Sequence, residues 1–421
     1  MKLRLFAVMA IAGGLAMIAA GAGVGDDTPI VTEFGDSSNA QTTGDYVMFP
    51  SLIEARQDVF TPEIDLALAL GDIQGIAVNA EGGQALSGVD VELFEDDGTP
   101  VDSTTTAADG TYVFPALQDL DYYITLNTPG FMETKIWTRA PADAVTQLPE
   151  GKMVREPVVV HGTAAGFIRN ALTGGPLNGV DLEFRRGINA PTTEPVLYTA
   201  RTTFTGRYIV NNMRAGVYTA RAAATTNMCE SNIIVWTQGA MTIDNQNAAL
   251  SQALLEGQMR VVLTWGATPS DLDSHLWAPH RGCDSQNPYH LYYAALGCGV
   301  IVNLDVDDTL SYGPETTTIG LSQDPVIGET YSFLVHDFTN LSSGGSQAMS
   351  NSQGLEVNVY SSGGAAECLQ TTFTMPPNTP ATVWHVFTAV WDGVYWTINP
   401  IPPEDAFCFQ SSPSLVGPTC P

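Results

Sequence analysis

Carboxylate side chains concentrate at two turns between residues 269 and 308. Each turn borders a run of alternating apolar and polar residues, which predicts a β-strand. The aspartates at these turns are Asp271, Asp273, Asp305, Asp307 and Asp308. Calcium takes about six to eight oxygen ligands, so carboxylates at neighbouring loop ends suit it. These aspartates therefore predict a calcium site if the two strands lie side by side.

The same aspartates have a structural interpretation, because aspartate often accepts backbone N–H hydrogen bonds at turns. Charge supports the calcium interpretation, since carboxylates crowded together without a cation raise one another's pKa and destabilise the fold. The spacing is not that of an EF-hand loop. Glu315 and Asp337 are secondary candidates. Both interpretations remain open at this point.

Three histidines, His275, His336 and His385, fall within predicted strands of the same region. Three imidazoles and a water could form a zinc site with an open position, which would make a metal-dependent hydrolase the alternative function. Hydrogen-bonded core histidines are the simpler interpretation. Common nucleophile, H-E-x-x-H and phosphate-loop motifs are missing from the sequence, so no catalytic activity is predicted.

The elements before this region follow a repeated pattern. Leu86–Phe94 is echoed by Leu177–Arg185, and each copy continues into a Tyr-bearing strand. The strands are short, rich in Val, Tyr, Thr and Phe, and bounded by Gly, Asp and Asn, which is typical of small antiparallel sandwiches. We therefore predict tandem sandwiches over residues 73–157 and 158–248.

The first of these units resembles the carboxypeptidase regulatory-like domain, a transthyretin-like sandwich. The resemblance rests on Gly75-Ile-Ala-Val78, Leu86-Ser-Gly-Val-Asp-Val91 and Thr105-Thr-Ala-Ala-Asp-Gly-Thr-Tyr-Val-Phe114. It implies an accessory fold without catalytic residues of its own. The second unit departs from the pattern, with Thr205 where the family usually has Asp.

Residues 257–400 form a third unit with about eight predicted strands, among them Asp273–Trp277 and Tyr331–Phe338. Turns recur about every ten to twenty residues without helical periodicity, which favours a jelly-roll type of sandwich. The predicted fold class is thus all-β, with tandem small antiparallel sandwiches followed by a larger jelly-roll-like sandwich.

This third unit resembles the bacterial YfaP-like family, a group of exported proteins of uncharacterised function. The motifs include Pro269-Ser-Asp-Leu-Asp-Ser-His-Leu276, Tyr312-Gly-Pro-Glu-Thr316 and Trp384-His-Val-Phe387. More loosely, Asp271-Leu-Asp273 is similar to a signature of accessory jelly rolls that often bind calcium. An insert over residues 280–299 departs from the compact pattern.

The charge balance limits the classes of partner. The 421 residues include 45 Asp and Glu against 16 Lys and Arg, a net charge of -29. Such a field repels nucleic acid and anionic membrane surfaces and attracts cations. The remaining partners are proteins or glycans, for which the insert segment Tyr289-His-Leu-Tyr-Tyr293 is the predicted binding surface.

The first 22 residues predict a secretory signal peptide, because Lys2 and Arg4 precede an apolar run that ends at small residues. An acidic lead-in follows over residues 23–72, either mobile or donating an edge strand. No later run has the length of a membrane span. The protein is therefore expected to be secreted or periplasmic, and a structural subunit of a surface assembly is a further alternative.

The sequence contains six cysteines, and none is spaced as C-x-x-C. Six cysteines allow 15 pairings in principle, and an exported protein would oxidise them. We predict that Cys283 pairs with Cys298 in the insert and that Cys408 pairs with Cys420 around a Pro- and Ser-rich tail, residues 401–421. Cys229 and Cys368 are left as the third pair.

Overall fold

The computed structural model describes residues 70–142, 144–225, 227–279, 288–298, 301–363, 367–415 and 417–419. The predicted signal peptide and nearly all of the predicted acidic lead-in lie outside these ranges. Within them the chain is almost entirely β-structure arranged in mainly antiparallel sheets, which confirms the predicted all-β class.

The first unit is a sandwich of two four-stranded sheets, one ordered β4-β1-β7 with β8 also paired to β1, the other ordered β3-β2-β5-β6. Its strands are β1 (Gly71–Asn79), β2 (Asp90–Glu95), β3 (Pro100–Thr105), β4 (Thr111–Leu117), β5 (Asp121–Asn127), β6 (Thr134–Arg139), β7 (Val145–Gln147) and β8 (Gly151–Met153). Ile73, Leu93, Phe114 and Ile124 of its two sheets meet in one core.

The second unit has the same two-sheet construction, with one sheet ordered β11-β10-β13-β14 and the other ordered β12-β9-β15, where β16 also pairs with β9. Its strands are β9 (His161–Asn170), β10 (Asp181–Arg186), β11 (Tyr198–Arg201), β12 (Arg207–Arg214), β13 (Gly216–Ala222), β14 (Ser231–Thr237), β15 (Thr242–Ile243) and β16 (Ala248–Leu250).

The terminal unit is a larger sandwich. One sheet is ordered β20-β21-β22-β17-β24-β25 and the other β19-β18-β23-β26-β27, with β28 paired to β26. Its strands are β17 (Met259–Thr264), β18 (Asp273–Ala278), β19 (Tyr289–Leu291), β20 (Gly297–Cys298), β21 (Val302–Val306), β22 (Glu315–Ile319), β23 (Thr330–His336), β24 (Glu356–Gly363), β25 (Glu367–Phe373), β26 (Val383–Trp391), β27 (Trp396–Pro400) and β28 (Phe407–Cys408).

Alternation along the strands explains why a sheet of the first unit buries one face, whereas β17, β18 and β22 of the terminal unit are buried on both faces. In β4, Tyr112 and Phe114 are buried while Thr111 and Val113 are exposed, because successive side chains of a strand point to opposite faces. Helix is limited, among the described residues, to α1 (Pro403–Ala406) and a 3-10 turn at Phe338–Asn340. No helix in those residues has the length and apolar character needed to cross a bilayer.

The second and terminal units are joined covalently and by packing. A disulfide links Cys229 to Cys368, which confirms the third predicted pair. Around it, Ala249, Val262 and Tyr360 form a small apolar cluster. Cys298 and Cys408 are also disulfide-bonded, and the partners predicted for them lie outside the described residues.

Candidate metal centre

Strands β18 and β23 bring three candidate side chains together on one face of their sheet. Asp273 lies directly opposite His336 in the antiparallel register. His275 is two residues further along β18, so it points to the same face as Asp273. The intervening face carries Leu276, which belongs to the main core. We call the opposite face, which bears Asp273, His275 and His336, the outer face.

A carboxylate from the other sheet reaches the same place. Glu315 begins β22 and is fully buried. Its Oε2 accepts a hydrogen bond from the backbone N–H of Ser274 at 2.6 Å. The two sheets therefore approach each other where β18 and β22 begin, and a side chain of one lies against the backbone of the other.

The potential ligand atoms form two overlapping groups. One oxygen each of Asp271, Asp273 and Glu315 lie within 4.8 Å of one another. Ligand atoms of Asp273, His275 and His336 also lie within 4.8 Å of one another. Asp273 belongs to both groups, so an oxygen-rich group and a nitrogen-containing group share one carboxylate.

These side chains present buried polar atoms that lack a hydrogen-bond partner anywhere in the described part of the chain. The atoms are Asp271 Oδ1, Asp273 Oδ2, Glu315 Oε1, His275 Nε2 and His336 Nδ1. Buried polar atoms are nearly always partnered in native proteins, and exceptions call for an explanation such as a bound ion. Their convergence on one place is typical of a cation site.

The electrostatics of the group favour a cation as well. Burial, followed by repulsion from Asp271 and Asp307, raises the pKa of Asp273 to about 8. Burial, followed by repulsion from Asp307 and other carboxylates, raises the pKa of Asp271 to about 6. Burial also raises the pKa of Glu315 well above its usual range. A divalent ion would relieve this mutual repulsion.

Of the three aspartates at the second turn, only some lie close to the two groups of ligand atoms. Asp307 lies close enough to raise the pKa of Asp271, Asp273 and Glu315. Asp308 contributes more weakly, and its Oδ1 accepts a hydrogen bond from the Leu310 N–H, as expected of a turn residue.

Asp305 is not brought into either group. Its carboxylate accepts hydrogen bonds from Asn303 Nδ2 at 2.7 Å and from Thr318 Oγ1. Burial raises the pKa of Asp305, and these hydrogen bonds together with the positive charge of Arg260 oppose the rise. Asp337, a secondary candidate, accepts hydrogen bonds from the backbone and side chain of Asn340, so it caps the 3-10 turn.

The three histidines of the hydrolase alternative do not form one group in the described structure. His275 and His336 lie together, with ring centroids 5.5 Å apart. His385 Nε2 instead lies 2.8 Å from Ser332 Oγ, whose own hydroxyl donates to the Pro418 carbonyl. Because that hydroxyl proton is already used, His385 Nε2 is the donor. It offers no lone pair there.

The sequence analysis includes His290 in the predicted protein- or glycan-binding segment and not in a metal group, whereas the structure places it on β19 beside the outer face. Its Nε2 is 2.9 Å from His275 Nδ1. Its ring stacks on Trp277 at 3.8 Å between centroids and on Tyr292 at 4.4 Å. The alternation of Tyr289-His-Leu-Tyr-Tyr293 was the signal available: it places His290 and Tyr292 on one face of the insert.

The segment after β28 covers part of the outer face. Leu415 packs with Trp277, Leu334 and Val383. The carbonyl of Gln410 lies 3.2 Å from His336 Nε2. The predicted tail is therefore held on the sheet by packing and hydrogen bonds.

A known family model matches the first unit. Residues 72–148 match the model of the carboxypeptidase regulatory-like domain. A search of curated proteins gave no match.

Several solved structures show a distant likeness. The shaft pilin SpaA of Lactobacillus rhamnosus GG is 10% identical, with 44% of this chain and 99% of that chain covered and a TM-score of 0.19. The Bacillus anthracis TIE protein is 11% identical, with 63% of this chain and 45% of that chain covered and a TM-score of 0.19. The Streptococcus agalactiae minor pilin GBS52 is 12% identical, with 44% of this chain and 97% of that chain covered and a TM-score of 0.18. TM-scores this low assign no function.

Proposed function

We propose that the chain is an exported, non-catalytic binding or scaffold protein of the bacterial cell surface or periplasm, with a structural calcium ion in its terminal sandwich. The observation that carries the calcium site is the convergence of Asp271, Asp273 and Glu315, each with a buried oxygen that no other described group satisfies. Calcium prefers carboxylate oxygens of this kind.

The rest of the proposal draws on the architecture. The regulatory-like domain at residues 72–148 belongs to an accessory fold, and the second unit is proposed as a divergent copy of it. The terminal unit is proposed as YfaP-like on its sequence motifs. The Cys229–Cys368 disulfide supports an oxidising compartment, since such bonds are rare in the cytosol. A protein or glycan at the cell surface is the proposed partner.

A calcium titration followed by thermal unfolding tests the site. An ion that binds only the folded state stabilises it by about 2.7 kcal/mol at about 100 times its Kd, so calcium should raise the Tm of the chelator-treated chain. Glu315→Gln should abolish most of that rise. The matched control is Glu329→Gln, because Glu329 is an exposed carboxylate of the same sandwich. A Tm that ignores calcium in the unmodified chain would refute the calcium site.

A further inference from the structure

The hydrogen bond of His336 fixes which of its nitrogens carries the proton. Its Nε2 faces the backbone carbonyl of Gln410 at 3.2 Å. A carbonyl oxygen can only accept, so Nε2 is the protonated nitrogen. The other nitrogen, Nδ1, therefore presents a lone pair, and this is the buried atom that has no partner in the described residues.

His275 is held in a similar way. Its Nδ1 is 2.9 Å from Nε2 of His290, so one of these nitrogens donates to the other. When His275 is the donor, its Nε2 carries a lone pair, and this nitrogen, like His336 Nδ1, is buried without a partner in the described residues. The ring cannot easily rotate away, because it stacks against Trp277 and Tyr292.

In this tautomer three electron-pair donors lie close together in a buried environment. Asp273 is 3% exposed, and His275 and His336 are fully buried. Their ligand atoms lie within 4.8 Å of one another. Two imidazole lone pairs beside a carboxylate oxygen repel one another unless a proton or a metal ion lies between them.

We infer that Asp273, His275 and His336 bind a divalent transition-metal ion of the zinc class. Imidazole nitrogen with carboxylate oxygen suits zinc and related first-row ions, whereas calcium takes oxygen ligands. This site is distinct from the proposed calcium group, which it touches only through Asp273. That carboxylate has two oxygens, so it could serve one ion or both.

The surroundings of the three donors match those of known zinc ligands. Metal-bound histidines almost always donate their second N–H to a carbonyl, a carboxylate or a water, which fixes the tautomer and the ring. The Gln410 carbonyl does this for His336. His290 Nε2 does it for His275 in the tautomer in which His275 Nδ1 is the donor. The depth of the three side chains under the C-terminal segment favours an ion that stabilises the fold over one that acts on substrates.

Zinc binding to the full chain tests the inference. The chelator-treated protein should bind one zinc ion per chain in a calorimetric titration performed without calcium. His336→Gln should weaken zinc binding more than about 100-fold, because even outer-shell partners contribute about 10- to 100-fold. His385→Gln is the matched control, since His385 is a buried histidine of the same sheet that donates to Ser332. It should leave zinc affinity unchanged.

A second variant covers the case in which His336→Gln fails to fold. His290→Phe keeps an aromatic ring against Trp277 and Tyr292 but removes the nitrogen that meets His275. It should weaken zinc binding about 10- to 100-fold. Glu315→Gln should reduce the calcium response while zinc still binds, which separates the two sites. Absence of stoichiometric zinc, or equal zinc affinity in the unmodified chain, His336→Gln and His290→Phe, would overturn the inference.

Discussion

The imidazole of His385 is buried, and burial lowers its pKa to about 4, with Asp405 opposing the shift slightly. In the unfolded chain the pKa of a histidine is about 6.5. The unfolded state therefore binds the proton first as the pH falls. The stability that depends on neutral His385 is complete above about pH 6.5 and is lost as the pH falls toward about 4.

A substitution at this residue should change that pH profile. Glutamine can still donate to Ser332 but does not titrate, so His385→Gln should flatten the fall in unfolding free energy between pH 7 and pH 5. Urea unfolding at the two pH values measures it. His161→Gln is the control, because His161 is exposed on β9. A slope that His385→Gln leaves unchanged would show that other groups cause the fall.

Residue types predicted part of the candidate site and could not predict the rest. Asp271 and Asp273 are two residues apart, and their place at a strand end was readable from the local sequence. The inclusion of Glu315 depends on how β22 of one sheet meets β18 of the other. Asp305 lies on a strand with a register shift between Leu304 and Val306, and its carboxylate turns to other partners.

At the scale of elements, short runs of strand-forming residues between turn formers predict strand positions, even for β18 and β23, which are buried on both faces. The predicted strand Asp273–Trp277 is observed as β18, and Tyr331–Phe338 as β23 with slightly earlier bounds. Their pairing, with Asp273 opposite His336, was not available from alternation, since register depends on contacts between distant segments. That pairing is what creates the histidine and carboxylate group.

The C-terminal segment gives an element-scale prediction. Leu415 is 5% exposed and packs on Trp277, Leu334 and Val383. Leu415→Ala should destabilise the protein by about 2–3 kcal/mol, because it removes buried methyl groups and leaves a cavity. Denaturant unfolding measures the change. The matched control is Leu310→Ala, since Leu310 is 84% exposed. Equal effects of the two substitutions would mean that the segment does not dock on the sheet.

At the scale of the whole molecule, the Cys229–Cys368 disulfide closes a loop with a sequence separation of 139 residues. Chain-entropy reasoning gives such a loop up to about 5 kcal/mol of stabilisation, although native-state effects usually reduce it. The double substitution Cys229→Ser with Cys368→Ser should therefore lower the Tm in thermal unfolding. Under reducing conditions the unmodified chain and the double variant both lack this bond, so any remaining difference in Tm measures the replacement of the buried sulfur atoms. An unchanged Tm in the double variant would contradict this account.

The same covalent link determines how the chain would respond to a stretching force along its length. Tension entering before Cys229 and leaving after Cys368 passes through the sulfur atoms and bypasses the residues between them. Asp273, His275, Glu315 and His336 all lie in that bypassed stretch. A chain pulled from both sides would thus carry no tension along the backbone between Asp273 and His336 while the disulfide is intact.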